Sequence, residues 1–146
     1  MKFTLTIDSH CSESEVCIRA AALDDRIRAI EAIARSDQLS TIAGYQSEKI
    51  RIIDLNDASR FFTRDKKVYV STNEGIWLVH QRMFELEEML PSSLFVRISQ
   101  SDIVNIREMK HVEVGFPHSL IVVMKNGVRC PISRRYLSAV KRALGL

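Results

Sequence analysis

Residues 95–114, FVRISQSDIVNIREMKHVEV, place Arg97, Ser99, Gln100, Ser101, Asn105 and Arg107 within a dozen positions. Guanidinium forks, hydroxyls and carboxamides are the groups that bond phosphate oxygens and the edges of bases. A plainer role is open to two of them. Ser101 and Asn105 can fix a local turn, and the apolar neighbours in IVNI favour Asn105 as a buried residue satisfied by backbone. A second basic group, Arg64, Lys66 and Lys67, sits in TRDKKV (63–68) between two strand-like runs. Such a loop tip is more often merely solvated, unless another basic element lies on the same side. A third ends the sequence in CPISRRYLSAVKRALGL (130–146), where Arg134 and Arg135 stand where a helix should begin. Ser133 reads as its N-cap, and Tyr136, Leu137, Val140 and Leu144 recur at helical spacing up to Gly145. A helix N-terminus is already positive, so two arginines there call for a negative group, outside the protein or within it.

The net charge of +3 hides an uneven distribution. Residues 96–146 carry nine Lys/Arg against three Asp/Glu, while residues 1–45 carry five against seven and residues 46–95 seven against eight. A concentrated basic segment suits a polyanion-binding face, or else a solvated basic surface without a partner. Catalytic and metal chemistry find little support. Cys11, Cys17 and Cys130 lack CxxC spacing, and His80, His111 and His118 are scattered without a carboxylate at a fixed helical offset. No P-loop, G-x-S-x-G or G-x-G-x-x-G occurs. We expect no enzyme, no cofactor and no metal, with Cys17 and Cys130 as small core residues. Glu87 and Glu88 read as a solvated helix face.

At 146 residues the chain suits one ordinary domain, or one domain with a small appended unit. The longest apolar run, LIVVM at 120–124, is too short to cross a bilayer, and the N-terminus turns polar too early for a signal peptide. A cytoplasmic protein with reduced thiols is expected. KFTLTID (2–8) and EVCIRAA (15–21) alternate as strands do. LDDRIRAIEAIARSD then reads as an amphipathic helix, capped by Asp24 or Asp25, with Leu23, Ile27, Ile30 and Ala34 on one face and Arg35 near its end. That face suits either a core, slightly favoured, or an interface. From about residue 39 short strands alternate with turns: STIAGY and KIRIIDL around QSE, KKVYVST and IWLVH around NEG, LIVVMK and VRCPI around Asn126-Gly127. QRMFELEEMLPSS (81–93) reads as a short helix with Met83, Leu86 and Leu90 on one side and Pro91 at its end.

The segments IRIIDLNDASRFFTRDKKVYVST, ELEEMLPSSLFVRISQSDIVNIREMKHVEV and VVMKNGVRCPISRRYL together resemble the LytTR family of bacterial DNA-binding domains, over residues 46–146. The F-x-R-I-x-x-S-x-I-V-N core and the S-R-R-Y ending carry the likeness. It implies an α+β, predominantly β fold: an elongated multi-sheet domain with one short internal helix and a C-terminal helix. A small β-β-α unit (1–45) for dimerisation or partner docking would precede it. It also implies a transcription regulator without a receiver domain, whose loops enter successive grooves of double-stranded DNA at a two-half-site operator. By position, Lys66 or Lys67 would reach a major groove, and Gln100 would face the minor groove with Arg97, Ser99 and Ser101 near phosphates. Arg135 would make the second major-groove contact, with Ser133 and Arg134 on backbone. Lysines and a glutamine stand where some relatives have histidine and asparagine. Phe95 and Asn105 map to structural positions. Expected partners are DNA, a second copy in a homodimer, and a membrane protein encoded nearby. The competing reading is a protein-interaction module whose basic face docks an acidic or membrane-associated partner.

Overall fold

A computed structural model describes residues 2–12, 15–34, 39–116 and 119–146, and it divides into two units, Met1–Arg35 and Ser36–Leu146. In the first unit the expected helix forms as α1, Asp25–Ala34. Of the two candidate caps Asp24 acts, its Oδ1 accepting the Ile27 N–H at 2.9 Å. None of α1 is buried: Ile27 and Ile30 are half-covered, and Leu23 and Ala34 are exposed. Within the first unit this face finds no core. The two expected strands are also absent, and Phe3, Leu5, Ile7, Val16 and Ile18 are exposed. Alternation marks a face that could be buried, but a strand exists only where another strand takes up its N–H and C=O groups. Cys17 is accordingly exposed rather than in a core. Arg35 lies outside the described residues.

The second unit begins earlier than residue 46, because β1 (Thr41–Gln46) is half of a hairpin with β2 (Lys49–Asp54). There follow β3 (Ala58–Arg64), β4 (Lys67–Thr72), β5 (Gly75–Val79), α2 (Met83–Met89), β6 (Phe95–Arg97) and β7 (Asp102–Asn105). β8 (Met109–Gly115), β9 (Ser119–Met124), β10 (Arg129–Pro131) and α3 (Leu137–Leu144) complete it. All strand pairs are antiparallel. They form a seven-stranded sheet in the order β2-β1-β5-β4-β3-β7-β6 and a three-stranded sheet in the order β10-β9-β8.

Each sheet has its own core, and β6 and β7 serve both. Phe95 and Ile103 join Ile42, Ile53, Phe61, Val70, Trp77 and Leu86. Their neighbours Val96 and Val104 point the other way, to Val122, Met124, Cys130, Ile132 and Val140. The two-residue side-chain period of a strand makes this division possible, and it explains why adjacent apolar residues, Phe95-Val96 and Ile103-Val104, are both buried. α2 covers the first core with Met83, Leu86 and Leu90, as its spacing predicts. The Arg82 N–H donates to Glu85 at 3.4 Å at its start, and the backbone turns extended at Leu90 before Pro91. α3 places Val140 on the second core and ends at Gly145, whose φ of 71° is the left-handed region that favours glycine.

Gly44 in β1 faces Trp77. A Cβ built there would lie 2.6 Å from Ile53 Cδ1 and 2.7 Å from Trp77 Cβ. The isoleucine methyl can swing away, but the tryptophan Cβ is fixed to its strand. Gly44→Ala should cost about 2 kcal/mol by overpacking, read as a lowered midpoint in urea with an unchanged m-value.

Candidate nucleic-acid interface

Three segments that are distant in sequence meet at one edge of the second unit. The first is the β3–β4 turn. Asp65 and Lys66 occupy its two central positions with φ of 50° and 64°, as a two-residue type I′ hairpin requires, so Lys66 is held at the tip. The second is the loop from Ile98 to Ser101 between β6 and β7. The strand alternation through Phe95 and Arg97 suggests a longer strand, but pairing stops at Arg97 and the backbone folds over itself. The third is the link from β10 to α3.

Main-chain hydrogen bonds tie the outer two to the middle one. Thr63 N–H donates to Ser101 C=O at 3.0 Å, and Ser133 N–H donates to Ile98 C=O at 2.9 Å. The Arg97 guanidinium lies 5.3 Å from the Tyr136 ring centre, a second tie between the same segments. Lys66, Lys67, Gln100, Ser101, Ser133, Arg134 and Arg135 are all exposed along this edge.

Arg97 and Ser99 sit differently. Arg97 Nε donates to Ser99 C=O at 3.1 Å, Nη2 to Gln100 C=O at 2.9 Å, and Nη1 to Glu87 at 2.5 Å. Its side chain is 13 % exposed, so its donors are spent inside the protein. Glu87, read from the sequence as merely solvated, is thus an anchor for this loop. Ser99 is buried, and its hydroxyl donates to Asp102 Oδ2 at 3.2 Å. These two residues build the loop that displays Gln100. Asn105 is buried as expected: Nδ2 donates to Ala58 C=O at 2.8 Å and Oδ1 accepts Arg107 N–H at 2.9 Å.

Arg134 and Arg135 do not open the α-helix. They form a 3-10 turn with Tyr136 ahead of α3, closed by the Tyr136 N–H donating to Ser133 C=O at 3.0 Å. The Ser133 side chain makes no capping bond, contrary to the N-cap reading. The arginines still stand at the positive N-terminal end of α3, one 3-10 turn ahead of its first residue. The Arg135 guanidinium lies 5.5 Å from the Tyr136 ring centre, which partly steadies that end of the side chain.

The charge balance along this edge is one-sided. Arg51, Arg60, Arg97 and Arg129 pair with Glu74, Asp102, Glu87 and Glu113 respectively. The hydrogen bond from Arg129, with His111 adding to it, holds the Glu113 carboxyl at about 2, well below the ordinary carboxylate range. Among the described residues no carboxylate lies within ion-pair distance of Lys66, Lys67, Arg134 or Arg135. Cys130 is buried, and that burial pushes its thiol up, so it remains an uncharged core group. No group of three or more potential metal ligands occurs among the described residues; His118 lies outside them. No described helix is long and apolar enough to cross a membrane.

A family model described as the LytTr DNA-binding domain matches residues 48–145. The chain belongs to the LytTr DNA-binding domain family. This family binds DNA rather than catalysing a reaction. The chain is similar to the LytTr DNA-binding domain of a methyl-accepting/DNA response regulator from Bacillus cereus, with a TM-score of 0.70 and 26 % identity over 74 % of this protein and 99 % of that domain. Relatives named HTH-type transcriptional regulators in Staphylococcus aureus strains NCTC 8325 / PS 47 and COL are 32 % identical over 100 % of this protein and 99 % of theirs. The likeness to them therefore includes the first unit. Among the described residues of this LytTr protein the three α-helices are separated in sequence by strands, and loops and a 3-10 turn rather than an α-helix form the basic edge.

The sequence did not single out Arg60 and Asp102. They meet across 42 positions, Arg60 Nη1 lying 2.7 Å from Asp102 Oδ1. Nothing in a single sequence marks such a distant pair.

Proposed function

We propose that this LytTr protein is a sequence-specific, DNA-binding transcriptional regulator that grips the duplex with the Lys66–Lys67 turn, the Gln100 loop and the Ser133–Arg135 turn. The observation that carries the reading is the set of four cations without an ion-pair partner among the described residues, flanking one exposed carboxamide. The acids beside the Gln100 loop, Glu87 and Asp102, are already engaged by arginines. Lys66, Lys67 and Arg134 supply phosphate neutralisation. Gln100 and Arg135 are placed to read base edges, and Arg97 with Ser99 shapes the central loop rather than touching phosphate. Two copies would occupy two half-sites. The first unit, with Leu23, Phe3, Leu5 and Ile7 exposed in a single copy, supplies apolar surface for self-association or for docking a membrane-embedded partner in the cytoplasm.

Fluorescence anisotropy against the DNA upstream of its own reading frame, at several salt concentrations, tests this reading. Three phosphate-engaging cations per copy, Lys66, Lys67 and Arg134, predict a log K against log salt slope of about −3 for each half-site. A sequence preference should persist at moderate salt. Binding abolished by modest salt, with no preferred sequence, would instead favour an acidic protein partner.

A further inference from the structure

We infer that Asp102, neutralised by Arg60, is the positioning residue that sets the sequence preference of the Gln100 loop. The inference rests on the DNA-binding reading above and deepens it. A carboxylate at the centre of a cationic edge is electrostatically adverse to a phosphate backbone, so its presence needs a local explanation. The loop is built around it. The Asp102 backbone C=O accepts the N–H groups of Ile98 at 3.0 Å and Ser99 at 3.3 Å. Its Oδ2 accepts the hydroxyls of Ser99 at 3.2 Å and Ser101 at 3.1 Å, and its Oδ1 takes the Arg60 bond. One residue thereby fixes both flanks of Gln100 and leaves that side chain at the exposed apex.

Arg60 is held over the Phe62 ring at 4.2 Å. The two charged side chains are only 18 % and 15 % exposed. Arg60 Nε is buried without a hydrogen-bond partner among the described residues. A desolvated ion pair with an unsatisfied donor contributes little net stability, and an apolar pair of the same volume would serve the fold at least as well. What the pair does supply is a fixed acceptor geometry for two serine hydroxyls, at no net charge beside the DNA. Arg60 also joins the neighbouring elements, because its Nη1 lies 3.9 Å from Cys130 Sγ in β10.

Position and charge can be separated, because they act in opposite directions on DNA. Asp102→Asn keeps the size of the side chain but removes the charge and misplaces an NH2 among donors. Binding of wild type and variant is compared on two duplexes: one recovered by the wild-type protein from a random-sequence library, and a scrambled duplex of equal composition. We expect Asp102→Asn to weaken binding to the recovered duplex roughly tenfold, the scale of one misplaced base contact. Its affinity for the scrambled duplex should be unchanged or higher. Arg60→Leu leaves the carboxylate uncompensated and should weaken both duplexes. The Arg60→Leu/Asp102→Asn pair should restore scrambled binding but not the preference, a non-additivity that a loss of fold would not produce. Thermal melting of each variant establishes that it is folded. An equal loss on both duplexes, or an undiminished preference in Asp102→Asn, overturns the positioning role. A wild-type protein that recovers no preferred duplex overturns the DNA reading, and this inference with it.

Discussion

Asn105→Ala should lower the unfolding free energy of the second unit by about 3–5 kcal/mol, the sum of two unpaired groups and a cavity. The side chain is 1 % exposed and joins two main-chain groups: the Ala58 C=O at the start of β3 and the Arg107 N–H after β7. Stripping a buried polar group of its partner costs about 1–3 kcal/mol each, and the lost amide leaves a small cavity as well. Asn105→Asp should do no better, because a carboxylate would face the Ala58 carbonyl oxygen. Urea denaturation followed by tryptophan fluorescence reads the effect directly, since Trp77 is buried in the adjoining core. A loss below about 1 kcal/mol would mean that the site closes over the gap or admits water.

Arg135→Ala and Arg134→Ala should differ in kind. Arg135 is exposed in the third loop, with its guanidinium 5.5 Å from the Tyr136 ring centre. If it forks onto a guanine edge, its removal costs about 1.5–3 kcal/mol on the preferred duplex, and discrimination at one base pair relaxes. Arg134→Ala should weaken all duplexes alike and reduce the salt slope by about one. The two are separated by measuring Kd on the preferred duplex, on its single-base variants and on a scrambled duplex. Specific binding untouched by Arg135→Ala would remove that residue from the contact set.

Much of the fold was legible because its signals are local. The hairpin turns at residues 47–48, 73–74 and 126–127, the helix ended by Pro91 and the glycine stop at Gly145 depend only on neighbours in sequence. So does the burial of Asn105, announced by its apolar flanks. The errors share a different cause. KFTLTID and EVCIRAA alternate correctly, yet a strand is completed by a partner that the unit does not supply, so Cys17 stays exposed. The alternation through Phe95 and Arg97 could not show that pairing ends there, since the loop beyond is organised by Asp102 and Glu87 through tertiary contacts. Ser133 has the side chain of a cap, but its hydroxyl is not used as one.

The candidate interface was legible as three basic segments and not as a surface. Their assembly depends on Thr63 N–H meeting Ser101 C=O and Ser133 N–H meeting Ile98 C=O, and main-chain bonds of this kind leave no trace in residue identity. The spent donors of Arg97 were equally hidden, because an arginine in a strand end reads the same whether it faces a phosphate or Glu87.

Where DNA touches the protein is the central question. Backbone amide chemical shifts of the full-length 15N-labelled protein, recorded while adding the preferred duplex, measure this directly. The largest changes are expected at residues 64–67, 98–101 and 133–136, with β2 unmoved. Changes concentrated on β2 or on α2, with those three loops silent, would contradict the proposed interface.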